Sequence, residues 1–247
     1  MSEEATRFIY LPDSHGIFGD EKAISCALAF GRLHKPDIVI CGGDHVDFYQ
    51  LSDFDKNPDR LRDLQVDVDA GAAFLGSVRK SFPRASIIYL MGNHEDRLRR
   101  FLWRHGPSLK YLRDLKLERM LGLGKLNIKL IEDGVLRVRT LIFKHGTLVR
   151  AKSGVTATGE MEREGMSGVS GHTHRLALVS RTNRSGRYTW AEAGCLCRLD
   201  PEYMPGQVPD WQQGLAYGAF IGSRFTLNIA QIIDGKTVYG DKVVSAP

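Results

Sequence analysis

Five short segments collect oxygen and nitrogen donors in this 247-residue chain: Asp13-Ser14-His15, Gly43-Asp44-His45-Val46-Asp47, Gly92-Asn93-His94-Glu95, His145-Gly146 and Gly171-His172-Thr173-His174. Asp, Asn and His are donors that suit divalent manganese, iron or zinc. Two histidines at i and i+2, His172 and His174, can ligate two different ions, and a carboxylate such as Asp44 can bridge them. No cysteine joins the set, which argues against a closed structural zinc site. Two ions about 3.5–4 Å apart form the clamp used for in-line displacement at phosphorus. Taken singly, an Asp or His at a strand end is a cap, a turn residue or a solvated side chain. The ordered set carries the reading.

These segments need elements that bring them together. Phe8–Leu11, Asp37–Cys41 and Ser86–Met91 are short apolar runs and predict strands. Between them, residues 20–34 predict a helix with Ile24, Ala27, Leu28 and Gly31 on one face. Leu61, Leu64, Val68, Ala72, Leu75 and Val78 mark a second helix. A helical region carrying Leu98, Leu102, Leu109 and Leu112 follows the third strand. After about residue 126 the pattern shifts to strands: 126–131, 135–144, 166–170, 176–182, 187–193, 217–225 and 227–233. Asn183-Arg184-Ser185-Gly186 and Asp234-Gly235 read as hairpin turns. Strands alternating with helices predict an α/β architecture with parallel strands. In open sheets of that kind, loops at the carboxyl ends of the strands build the site, and all five segments lie at such ends. Residues 198–213, with Pro201, Pro205 and Pro209, read as a long ordered loop of the sort that is often functional.

The composition, 43% hydrophobic and 26% charged residues, is that of an ordinary globular chain and excludes disordered and collagen-like classes. The length predicts one domain over residues 1–247. The longest apolar runs are too short to span a bilayer, so no membrane partner is expected. Met1-Ser2-Glu3-Glu4-Ala5 lacks the basic start and apolar stretch of a secretory signal, which predicts a cytoplasmic protein. Cys26, Cys41, Cys195 and Cys197 form no CxxC pair and predict free thiols; Cys195 and Cys197 are expected in a strand, facing opposite sides. The net charge of +5 permits a phosphate-bearing substrate. Oligomeric state is not encoded legibly.

The order D-x-H, GDxxD, GNHE, HG, GHTH, running from Asp13 to His174, resembles that of the calcineurin-like metallophosphoesterases. The resemblance implies a four-layer α/β/β/α sandwich and two divalent metal ions, manganese first, with iron or zinc also suited. Asp13, His15 and His174 would hold one ion, Asn93, His145 and His172 the other, and Asp44 would bridge them. A hydroxide bridging the ions would attack phosphorus. His94 would protonate the leaving oxygen or stabilise charge, and Asp47 would orient His94. The segments Glu192–Tyr203 and Trp211–Gly214 are similar to a branch found in bacteriophages and prophages, which would place the protein in host cytoplasm.

Departures from the family pattern narrow the substrate. Protein phosphatases of this family carry Arg-Gly directly after GDxxD; here Phe48-Tyr49 follows. Cyclic-nucleotide phosphodiesterases show GNHD, whereas this chain has Glu95. DNA repair nucleases add a capping domain for which there is little room. The favoured expectation is a nuclease or nucleotide-directed phosphodiesterase acting on DNA or a nucleotide; the alternative is a small-molecule phosphomonoesterase. A protein phosphatase or an inactive scaffold ranks lower, since a scaffold is expected to lack a ligand and none is missing. Arg97 and His45 are the candidate substrate contacts, with Arg99, Arg100 and Arg104 reading as a solvated basic face. His34 and His105 are expected as cations at helix ends. Tyr203 and Trp211 read as loop packing, with base stacking as the alternative.

Overall fold

The computed structural model of the chain describes residues 4–53, 64–200 and 208–246. Leu61, Pro201, Tyr203 and Pro205 lie outside the described residues.

The first half runs β1 (Thr6–Leu11), α1 (Glu21–His34), β2 (Ile38–Cys41), α2 (Leu64–Ser81), β3 (Ser86–Leu90), α3 (Asn93–His105), α4 (Leu117–Met120) and β4 (Ile128–Ile131). The second half runs β5 (Val135–Val138), β6 (Leu141–Lys144), α5 (Val155–Glu164), β7 (Ser167–Ser170), β8 (Leu176–Asn183), β9 (Gly186–Ala193), β10 (Gly214–Ile221), β11 (Arg224–Gln231), β12 (Lys236–Tyr239) and β13 (Lys242–Ser245). One sheet has six strands in the order β11-β10-β1-β2-β3-β4, a second has five in the order β5-β6-β7-β9-β8, and β12-β13 form a separate ribbon. β1 to β4 pair in parallel, as do β6, β7 and β9.

Strands buried on both faces must be apolar throughout, and β1 shows why. Ile9 and Leu11 pack with Val39, Cys41, Ile87 and Tyr89 under α1 to α3. Phe8 and Tyr10 point the other way and meet Leu141, Phe143, Val169, Ala191 and Ala193 of the second sheet. A third cluster, Ile142, Ala157, Met161 and Trp190, lies between that sheet and α5. Helices, sheet, sheet and helix form the expected four-layer α/β/β/α sandwich. Among the described residues, no helix is long and apolar enough to cross a membrane.

Several expectations change in detail. Residues 135–144 are two strands joined by a turn in which Arg139 takes a positive φ of 52°; no glycine or proline marks it. The helical region after β3 stops at His105, before Gly106-Pro107, and leaves Leu109 and Leu112 exposed on 3-10 turns at Pro107–Tyr111 and Arg113–Leu115. α5 interrupts the strand-rich half, held by burial of Ala157 and Met161 rather than by propensity. His34 is not a surface cation. It is buried at the end of α1, burial lowers its pKa, and its ring contacts the Phe8 and Gly218 carbonyls and the Tyr239 hydroxyl. His105 lies in the last turn of α3, its ring beside Phe101.

Candidate metal centre

The segments after β1, β2 and β3 leave the first sheet at its carboxyl edge, and those after β6 and β7 leave the second at the same end. His15 Nε2 lies 2.9 Å from His174 Nε2, across the two sheets. Asp13 Oδ1 is 3.7 Å from His174 Nε2 and 4.0 Å from His145 Nδ1. His145 Nε2 is 2.9 Å from Asn93 Oδ1 and 3.2 Å from Asp44 Oδ2. The rings of His145 and His172 are 5.1 Å apart. Asp13, His15, Asp44, Asn93, His145, His172 and His174 therefore converge on one small site, with Asp13, His15, Asp44, His145 and His174 buried, His172 half-buried and Asn93 exposed at its mouth.

Backbone conformation helps to place them. Non-glycine residues in the left-handed region cost roughly 1–3 kcal/mol and collect at functional sites. His15, Asp44, His172 and His174 all have positive φ, between 52° and 70°. Gly92 supplies room: a Cβ there would lie 2.1 Å from Asp44 Oδ1.

Buried carboxylates outside the predicted set shape the loops. Glu95, 2% exposed, accepts backbone N–H bonds from Gly92, Asp44, His45 and Val46 and the hydroxyl of Tyr89, at 2.5–3.1 Å. It ties the start of α3 to the loop after β2. Asp67 on α2 accepts from the backbone of Asp47 and Phe48. Glu192 accepts the Thr173 hydroxyl at 2.8 Å and the Gly154 N–H at 2.7 Å, fixing the loop after β7. Glu95 stood inside a visible motif, but its neighbour His94 offered the chemistry and Glu95 none. Asp67 and Glu192 carry no local signal.

The electrostatics follow from burying so many polar groups. Burial, with the positive charge of His145, lowers His172 to about 4. Burial, with His15, drives His174 well below its ordinary value. Both histidines are therefore neutral and present lone pairs. Burial works against ionised Asp44, but the neighbouring histidines, His145 foremost, outweigh it and hold its pKa well below the usual range. Burial pushes Asp13 up to about 6. His15 and His145 rise to about 9 and about 10 because adjacent carboxylates overcome the burial cost of a buried cation. Imidazoles, carboxylates and an amide oxygen gathered this closely are a donor set that fits divalent cations, which would displace the protons that the neighbouring carboxylates hold on His15 and His145. Among the described residues, three-residue groups able to hold an ion are Asp44-His145-His172, His15-Asp44-His94 and His15-His174-Cys197. Asp44 belongs to two of them.

His94 sits at the rim. Its Nδ1 is 3.0 Å from the Asp47 carbonyl and 3.4 Å from Asp47 Oδ2. Asp47 also meets His15 Nδ1 at 3.1 Å, so one carboxylate orients both rings. Burial opposes its ionisation, yet the hydrogen bonds from His15 and His94 keep it ionised far below the usual range. Arg97 donates to Asp47 and places its other nitrogen 3.1 Å from His94 Nε2.

Two expectations need correction. His45 has no exposed surface; its ring stacks on Phe74 at 4.4 Å, it hydrogen-bonds Ser14, and burial lowers its pKa to about 3. It is a packing residue under the loop, out of reach of substrate. Cys195 and Cys197 do not alternate on a strand. Both are buried, and a thiol–thiol hydrogen bond with Cys195, together with burial, raises Cys197, whose sulfur lies 4.0 Å from His174 Nδ1. Trp211 packs its ring on His174 at 4.3 Å.

This two-sheet body can be compared with known proteins. Vps29 of Chaetomium thermophilum superposes with a TM-score of 0.50 and 11% identity, over 98% of this chain and 100% of that one. The chain has the fold of the calcineurin-like metallophosphoesterases. In sequence it is similar to the gene 54 protein of Mycobacterium phage D29, 25% identical over 243 residues, 93% of this chain and 95% of the relative. The gene 54 protein of Mycobacterium phage L5 is 24% identical over the same shares. No protein-family model matches.

Proposed function

We propose that the chain is a phosphoric ester hydrolase working with two divalent metal ions, directed to nucleic acid or nucleotide phosphodiesters. The observation that carries the reading is the shared carboxylate: Asp44 lies close enough to share an ion both with His15 and His94 and with His145 and His172. Asp13, His15 and His174 would hold one ion, and Asn93, His145 and His172 the other. Divalent ions held there would supply Lewis-acid charge for a phosphoryl oxygen and would lower the pKa of bound water towards neutral pH.

The remaining steps belong to the chain. Asp47 holds the His94 ring by its Nδ1 side, 3.7 Å separates Nε2 from Asp44 Oδ2, and Arg97 donates to Nε2 at 3.1 Å. His94 can give a proton from Nε2 to the departing oxygen once Arg97 exchanges that contact for the phosphate and the imidazole is protonated. Arg97, anchored on Asp47, is placed to meet a non-bridging phosphate oxygen beside it. An alkoxide leaving group, whether of a diester or of a monoester, needs that proton. The net charge of +5 suits a polyanionic, nucleic-acid or nucleotide substrate. Completeness of the donor set speaks against a scaffold. The test is a metal-reconstituted assay with manganese, iron or zinc against bis-p-nitrophenyl phosphate, p-nitrophenyl phosphate, 2′,3′-cyclic nucleotides, single- and double-stranded DNA and a phosphopeptide. Diester turnover that needs metal is expected. Turnover of the monoester alone would move the reading to a phosphomonoesterase, and no turnover with metal bound would overturn it.

A further inference from the structure

Residues 93–116, α3 and the two turns after it, hold seven of the basic residues (Arg97, Arg99, Arg100, Arg104, Lys110, Arg113, Lys116) against Glu95, Asp96 and Asp114. That segment is net +4 in a chain of net +5. The same segment exposes large rings that a globular surface ordinarily hides: Trp103 at 53%, Tyr111 at 76% and Phe101 at 38%. Cations lie over two of them. The Arg99 guanidinium is 5.2 Å from the Trp103 ring and the Lys110 ammonium 5.1 Å from the Tyr111 ring.

Helical spacing turns these residues into a track. Positions three and four apart share a face, so His94, Arg97, Phe101 and His105 form one ridge from the centre to the far end of α3. Arg99, Arg100, Trp103 and Arg104 form the ridge beside it. The ridge spans about 16 Å at 1.5 Å per residue. We infer that this surface docks single-stranded nucleic acid and leads one of its phosphodiesters into the metal centre; the inference rests on the proposed phosphodiesterase reading. Positive side chains track a polyanionic backbone, and exposed rings stack on bases that are not already paired. Charge complementarity selects the occupant. Asp47 and Asp53, from outside the segment, pair with Arg97 and Arg104, so the face is net +2; a second copy of this chain seated on it would still oppose like charge, whereas a polynucleotide neutralises it.

The experiment is fluorescence anisotropy of a fluorescein-labelled dT12 with the full chain, in EDTA so that hydrolysis cannot intervene. Saturable binding is expected, with a log–log salt slope of about −3 for four phosphate contacts. Trp103→Ala and Tyr111→Ala should each weaken binding by roughly 5- to 150-fold, the range for losing one stacked base. Arg99→Ala should flatten the salt slope by about 0.7. These side chains are exposed, so unchanged thermal unfolding of each variant is the folding control. No saturable binding, or wild-type affinity in both ring variants, overturns the inference. So does a wild-type dimer by light scattering that Trp103→Ala converts to monomer, because the face is then occupied by a second copy. Hydrolysis of bis-p-nitrophenyl phosphate by wild type without dT12 binding overturns the track alone. Binding of dT12 without hydrolysis of any ester leaves the track standing and removes the phosphodiesterase reading.

Discussion

Asp44 and His94 are neighbours with separable duties. His94 donates its backbone N–H to Asp44 Oδ1 at 2.9 Å, so Asp44 is fixed by α3 as well as by its own loop. Asp44→Asn keeps that bond and the side-chain shape but removes the charge facing both sets of histidines. Metal content by mass spectrometry should fall for both ions together, whereas Asp13→Ala should loosen chiefly one. An Asp44→Asn protein that keeps both ions and full activity would show that Asp44 is no bridge. His94→Ala should keep its metal and lose roughly 10²–10⁴-fold in rate, the usual worth of general acid catalysis. The loss should be largest for an alkoxide leaving group and small for p-nitrophenolate, which departs without a proton. Equal losses for both leaving groups would make His94 a charge stabiliser.

The loop after β2 and the start of α3 behave as one element because Glu95 joins them. Glu95→Gln puts an NH2 group where an oxygen now accepts N–H donors, leaving buried donors unpaired at about 1–3 kcal/mol each. At roughly 2–4 °C per kcal/mol for a chain of this size, the melting temperature should drop by about 5–10 °C. Metal affinity should fall with it, since Asp44 moves with the loop. Tyr89→Phe removes one of the five bonds and should have a much smaller effect. Unchanged melting in Glu95→Gln would leave the loop without this anchor. The same contrast explains what the sequence disclosed. Donors with metal chemistry, such as His172 and His174, stand at the ends of apolar runs and were legible with their strands. Glu95, Asp67 and Glu192 act only on backbone N–H groups from distant segments, and nothing in their spacing reveals such partners. The turn at Arg139 and the helix α5 were illegible for a related reason. Tertiary burial, of Trp190 against Ala157 and Met161 for example, overrode weak local preference.

The two sheets meet at the centre: Asp13, His15, Asp44 and Asn93 come from one, and His145, His172 and His174 from the other. A ligand bound only by the folded state stabilises it by mass action, about 2.7 kcal/mol at a free concentration one hundred times its dissociation constant. Chelation should therefore lower the melting temperature of the wild type, and less so that of Asp44→Asn; a wild type indifferent to chelation would count against metal linking the sheets. At the opposite end of the body His34 ties β1, β10 and β12 together, with its Nε2 3.1 Å and 3.2 Å from the Phe8 and Gly218 carbonyls and its Nδ1 3.2 Å from the Tyr239 hydroxyl. Burial lowers its pKa from 6.5 in the folded chain. The unfolded chain takes up that proton near pH 6.5 and the folded chain does not, so the stabilising contribution of neutral His34 is whole above pH 6.5 and declines as pH falls. His34→Gln has no such proton to bind. The stability gap between wild type and His34→Gln, from denaturant melts in EDTA, should be widest above pH 7 and narrow steadily towards pH 5. A gap that holds constant or widens on acidification would mean that His34 is protonated in the fold.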